Sequence, residues 1–206
     1  LSGLLAALMF SPAHADIKIG ITVSATGPAA SLGIPEKNTV AFYPATIAGQ
    51  KMEYIVLDDA SDTSKAVANA KKFTSEDKVD VIIGSSTTPN SLAMVDIAAE
   101  AKTPMISMAN AARIVEPQDE KRRWVFKVPQ GDSLMADAVT KHMASTGIKT
   151  LGFIGYADPY GEGWLKEMKR TTEASGIKIV AEEKYNRTDT SVTAQALKLV
   201  SLNPDA

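Results

Sequence analysis

The sequence predicts an α/β fold built on parallel sheets. Short β-branched runs alternate with longer segments of helical periodicity from Asp16 to the end of the chain. Several of these runs end in a cluster of Gly, Ser, Thr, Asn or Asp, and the sharpest one, Val81-Ile82-Ile83, is apolar at consecutive positions, as a strand covered on both faces requires. Repeated strand–helix units imply right-handed crossovers, and ligands of such sheets sit at the carboxyl ends of the strands. With 45% apolar and 22% charged residues in a chain of 206, there is enough material for one or two buried cores.

Taken in order, Leu4 to Phe10 is apolar and is followed by small residues at Ala13 and Ala15, the pattern of an export leader with its mature start at Asp16. The run is far shorter than the roughly 20 residues a membrane anchor needs. It also lacks a basic start, so the chain is expected to begin inside the leader. Residues 17–23 read as a strand ending in the turn-rich Ser24-Ala25-Thr26-Gly27-Pro28. A helix is expected from Pro35-Glu36 to Ile47, a strand over 52–57, and a helix over 64–75 capped by Asp62 or Thr63. The strand over 79–83 leads through Gly84 and four hydroxyl residues into a helix from Pro89 to Lys102, with Pro suited to a first helical position. Strands are expected at 104–108, 125–128, 151–154 and 177–181. Helices follow at 133–145, after the loop 155–163 up to Ser175, and at 191–202. The chain stops where the pattern predicts a further strand, so the last unit is expected to be cut off.

Much chemistry has no residues to support it. There is no cysteine, which excludes thiolate catalysis, Cys-ligated zinc and disulfides. HExxH, GxSxG, the phosphate loop and the complete dinucleotide fingerprint are absent, and His142 stands alone within a helix. No metal and no cofactor are expected. A net charge of −2 gives no basic field, so nucleic acid is not an expected partner. Asp58-Asp59 could hold Mg²⁺ or organise their own loop, and the second reading explains them better. The mixed run from Glu116 to Arg123 reads as a solvated connection. Ser85-Ser86-Thr87-Thr88 can cap the following helix or, with its free N–H groups and dipole, hold an anion. Tyr160, between Pro159 and Gly161, offers a loop-held aromatic face to a ligand, whereas Trp164 belongs to the core.

In their order and spacing, several segments resemble the periplasmic solute-binding proteins of ABC importers, the branched-chain amino-acid (Leu/Ile/Val) group. They are Ile17-Lys18-Ile19-Gly20, Thr26-Gly27-Pro28, Leu57-Asp58-Asp59-Ala60-Ser61-Asp62, Val81-Ile82-Ile83-Gly84, Pro104-Met105-Ile106-Ser107 and Tyr160-Gly161-Glu162-Gly163. The resemblance implies a type I periplasmic-binding-protein fold: two Rossmann-like lobes with parallel sheets, closing on a ligand. Residues 16–127 would be lobe one and 128–206 an incomplete lobe two, with Val128-Pro129 as a hinge crossing. It places the carboxylate grip on Thr88, with Ser86 and Thr87 beside it, and the carbonyl that takes an ammonium group on Ala109. The partner hydroxyl falls on Ala111, which has none, and Asn110 could substitute. Leu32 would line the side-chain pocket and Tyr160 would cover the ligand from lobe two; with Tyr156 they would form the apolar end of the site. Such a monomer would deliver a branched-chain amino acid, or an aromatic or aliphatic acid, to an inner-membrane permease from the periplasm. A sensory receptor domain shares the fold, and an exported enzyme would need catalytic residues that are not found.

Overall fold

The computed structural model describes residues 16–206, so the leader read over residues 1–15 lies outside the described residues. Among them, six strands form one sheet in the order β2-β3-β1-β4-β5-β6. They are β1 (Ile17–Val23), β2 (Thr46–Ile47), β3 (Gln50–Asp58), β4 (Val81–Ile83), β5 (Met105–Ser107) and β6 (Val125–Lys127). Every pairing is parallel except the short β2–β3 hairpin. Helices α1 (Ala30–Thr39), α2 (Thr63–Lys72) and α3 (Thr88–Ala101) connect the strands. A second, parallel pair, β7 (Thr150–Tyr156) and β8 (Lys178–Tyr185), carries α4 (Asp132–Ser145), α5 (Pro159–Ala174) and α6 (Thr193–Ser201).

The β-branched runs become strands because both faces are covered. Phe73, Ile82, Met94, Met105 and Ile114 are wholly buried in one core that joins α2 and α3 to the sheet. Ala136, Met143, Leu151, Met168 and Ile177 form a smaller second core under α4 and α5. Trp164 packs on this second core, as its sequence context suggests. Asp62 caps α2, its carboxylate accepting from the Lys65 N–H at 2.8 Å, which satisfies one of the helix's free donors. Ala206 lies against the edge of β7: its N–H donates to the Thr150 carbonyl (3.2 Å) and its carbonyl accepts from Gly152 N–H (2.8 Å).

The first helix departs from expectation. It spans Ala30–Thr39 and passes into a 3₁₀ turn over Val40–Phe42, rather than starting at Pro35 and reaching Ile47. The Ala30 N–H closes a turn onto the Gly27 carbonyl at 3.1 Å, so the helix nucleates before the proline. Pro35 is then interior, where it withholds the bond that the Ser31 carbonyl would otherwise accept. β8 also runs four residues beyond the expected 177–181, because its alternating charged residues leave one face of a half-exposed strand in water.

Gly84, just after β4, has φ +137, a region closed to side chains, and a Cβ there would stand 2.3 Å from the Thr22 carbonyl oxygen. This is how closely β4 approaches β1 at the carboxyl end of the sheet. Gly84→Ala is expected to lower stability by roughly 2 kcal/mol or more, read as a shift in the urea midpoint with unchanged slope.

Candidate ligand-binding site

The loops after β1, β3, β4 and β5 meet at one end of the sheet, and two neighbouring aspartates tie them together. The Asp58 carboxylate accepts from the N–H groups of Ala25 (2.9 Å), Thr26 (3.2 Å) and Ala60 (2.8 Å) and from the Thr26 hydroxyl (2.6 Å). Asp59, fully buried, accepts from the Ser24 hydroxyl (2.7 Å), the Ser61 N–H (3.0 Å) and the Ser85 hydroxyl. Both residues organise loops, and among the described residues no acidic or histidine cluster could hold a metal ion. From Ser85 the bonding continues inward. Its N–H donates to the Ser91 hydroxyl (3.0 Å), and the Ser107 hydroxyl donates to Ser91 (2.8 Å) while accepting from the Ala109 N–H (3.1 Å). The start of α3 and the turn at Ala109 are therefore held in fixed register.

The start of α3 is not closed by its own hydroxyls. Thr87 sits at the cap with extended backbone, yet its side chain makes no capping bond, and Thr88 rather than Pro89 is the first helical residue. The expected capping by Ser or Thr is thus not made. The Thr88 side chain is turned inward, 1% exposed, and its Oγ1 finds no partner among the described residues. An unpaired buried hydroxyl costs about 1–3 kcal/mol, a penalty that an incoming acceptor removes.

Thr88 lines a cavity of about 480 Å³ between the two halves of the molecule, a volume suited to a small organic ligand. The first half contributes Leu32, Ser86, Thr87, Thr88, Ala109 and Asn110; the second contributes Tyr156 and Tyr160. Of the residues placed around a ligand by the family resemblance, Ala111 alone does not line it: it is 1% exposed and packs into the core. Tyr160 stands in the first turn of α5 rather than in a loop, because the Asp158 carboxylate caps that helix through the N–H groups of Tyr160 (2.8 Å) and Gly161 (3.1 Å). Its ring lies 6.2 Å from that of Tyr156 and edge-on to Trp164 at 6.5 Å. His142 is exposed on α4, away from the cavity.

Two charged residues in the lining escaped the sequence reading, Glu36 and Arg187. Glu36 projects from α1 and accepts a hydrogen bond from the Ser86 hydroxyl, whose oxygen in turn accepts from the Ser24 N–H at 2.9 Å. The proton of Ser86 is therefore committed to Glu36. Burial pushes the Glu36 carboxyl above the usual glutamate range, the Ser86 bond pulls it partly back, and nearby Asp59 pushes it up again. Arg187, just past β8, donates through Nε to Asp158 at 2.6 Å, and its guanidinium covers the Tyr156 ring at 4.0 Å. No spacing rule marks either residue. A helix placed five residues earlier would have exposed Glu36, and a longer β8 would have exposed Arg187.

Two α/β halves facing each other across a ligand-sized cavity at their strand ends define a class of two-lobed binding protein. The sequence matches the family described as "Periplasmic binding protein" over residues 16–206, and the chain belongs to that family. It is 27% identical over 197 residues to the leucine-, isoleucine-, valine-, threonine- and alanine-binding protein of Pseudomonas aeruginosa, covering 92% of this chain and 52% of that one. It also resembles the solved structure of an extracellular ligand-binding receptor from Rhodopseudomonas palustris HaA2, with TM-score 0.91 and 52% identity over 93% of this chain and 53% of the other. A solute-binding protein of an ABC transporter from Rhodopseudomonas palustris BisB5, solved with 3,4-dihydroxybenzoic acid, matches with TM-score 0.85 and 28% identity over 92% of this chain and 53% of that one. The chain spans about half the length of the curated relatives it matches. The fold is that of the type I periplasmic binding proteins. No helix among the described residues is long and apolar enough to cross a membrane.

The raised Glu36 carboxyl has a consequence for stability. The folded state holds this proton more tightly than the unfolded chain, so ionised Glu36 opposes folding above its raised value. That opposition fades as pH falls through the raised value and is gone below the ordinary value of 4.5. Glu36→Gln keeps an acceptor for Ser86 and is expected to raise the thermal midpoint near pH ~7 but not near pH ~4. Melting curves at the two pH values check the sign.

Proposed function

We propose that this protein is the extracytoplasmic solute-binding component of an ABC importer, holding a small organic acid between its lobes for delivery to an inner-membrane permease. The observation that carries this reading is the buried, unpartnered hydroxyl of Thr88, a cavity-lining residue at the uncapped start of α3. The positive end of the helix favours a carboxylate there, and the hydroxyl supplies a donor. Thr87 and Ser86 border the same spot, and Ala109 and Asn110 close its other side. Leu32, Tyr156 and Tyr160 enclose the body of the ligand. Closure about Val128-Pro129 would dry the cleft and strengthen each polar contact. The leader-like first residues support export to the periplasm, and action as a monomer is part of the same proposal.

For the ligand, an aromatic acid is the favoured reading. The Tyr156 and Tyr160 rings, 6.2 Å apart, give the cavity an aromatic wall suited to a ring-bearing guest, and Ala111 lacks the hydroxyl with which the resemblance implies an amino group is met. The dihydroxybenzoate held by the relative from strain BisB5 supports this choice. A second reading is favoured by Glu36: an α-amino acid could place its carboxylate on Thr88 and its ammonium on Glu36, in line with the Pseudomonas relative.

Thr88→Ala is expected to weaken binding of the acid by about 1–3 kcal/mol in calorimetry on the purified protein, and an unchanged affinity would refute the carboxylate placement. The pH profile separates the two ligand classes. A simple carboxylate must share its site with Glu36 in the neutral form, so its affinity should rise as pH falls toward the raised Glu36 value. An amino acid needs Glu36 ionised, so its affinity should fall over the same range.

A further inference from the structure

Arg187 is held as a recognition group rather than as a surface charge. Its side chain is only 20% exposed, and Asp158 accepts from its Nε through Oδ2 while capping α5 through Oδ1, so one carboxylate positions both the guanidinium and the first turn that carries Tyr160. Its plane is set by the Tyr156 ring at 4.0 Å, with the Tyr160 ring 5.7 Å from the same carbon. Among the described residues the only hydrogen bond from this guanidinium is the one made by Nε, and the residue lines the cavity. Terminal N–H groups that are oriented, unpaired within the protein and carried by a cavity-lining residue are available to an acceptor on a ligand.

From this arrangement we infer that Arg187 is a second polar anchor, which binds an oxygen acceptor at the far end of the ligand from the carboxylate. The inference rests on the carboxylate placement at Thr88 and extends it to a ligand class: a flat ring acid bearing a distal hydroxyl or comparable neutral oxygen. Asp158 already balances the guanidinium charge, so a neutral acceptor satisfies the site and a second carboxylate is not required. An aliphatic side chain of the leucine type would press methyl groups against unpaired donors. The polar groups at the two ends and the tyrosines beside them thus select length and polarity together.

Calorimetry with benzoates that differ only at the position opposite the carboxylate tests this directly. The wild-type protein is expected to bind 4-hydroxybenzoate about tenfold more tightly than 4-methylbenzoate, which has nearly the same shape, and more tightly than 4-carboxybenzoate. Arg187→Met and Arg187→Gln should each erase the hydroxyl preference, bringing the affinities for 4-hydroxybenzoate and 4-methylbenzoate to within about twofold of each other. Equal wild-type affinity for the hydroxyl and methyl compounds overturns the inference without any variant, and tightest binding of the dicarboxylate overturns the neutral-acceptor class. If the Arg187 variants lose all three acids alike while Thr88→Ala loses none, the carboxylate itself sits on Arg187, and the placement in the proposed function fails as well. Loss on Thr88→Ala with no change in preference on Arg187→Met overturns only the second anchor.

Discussion

Asp59 is a carboxylate sealed from water whose neighbours are neutral donors rather than a cation. Burying such a charge costs several kcal/mol unless its oxygens are fully bonded, and here the Ser24, Ser85 and Thr22 hydroxyls and the Ser61 N–H converge on it. Those donors come from the ends of β1 and β4 and from the turn after β3. The requirement to satisfy one charge therefore locks three strand ends in register. The start of α3 inherits its position from that lock through Ser85 and Ser91, and so does the floor of the cavity. The site thus rests on a buried hydrogen-bond network that spans three strand ends.

A rigid floor lets the polar groups above it stay unsatisfied. Thr88, beside the cavity, keeps an unpaired hydroxyl because the backbone around it is pinned from below, not by its own bonds. Glu36 is drawn toward the same floor through Ser86, which turns an acidic side chain into part of the wall at the cost of partial desolvation. The opposite wall follows a similar plan, with Asp158 serving both as helix cap and as the brace for Arg187. In each half one carboxylate organises the backbone, and the group left over faces the guest.

Most of the architecture could be read from the chain because parallel strands write their burial directly into composition: Val81-Ile82-Ile83 and Ile17–Val23 have few other uses. The hydroxyl run after Gly84 and the tyrosine after Pro159 stood out for the same reason, as residues that a packed element does not need. What could not be read was set by tertiary contact. Pro35 signals a helix start by its chemistry, yet the turn closed by Gly27 and Ala30 nucleates the helix earlier, and this hides the inward position of Glu36. Arg187 follows a strand whose charged outer face looks like the onset of a loop, so nothing local points to the ring beneath it. Both omissions are charged residues whose meaning depends on a partner distant in sequence.

The edge-on approach of Trp164 to Tyr160 has a practical corollary. Trp164 and Trp124 are the two tryptophans of the chain, and Trp164 sits one ring behind the wall that a guest would touch. Excitation absorbed by the neighbouring phenols can pass to the indole across 6.5 Å, so displacement of Tyr160 would change the emitted light. The fold thereby carries an intrinsic optical gauge of occupancy, with no dye attached.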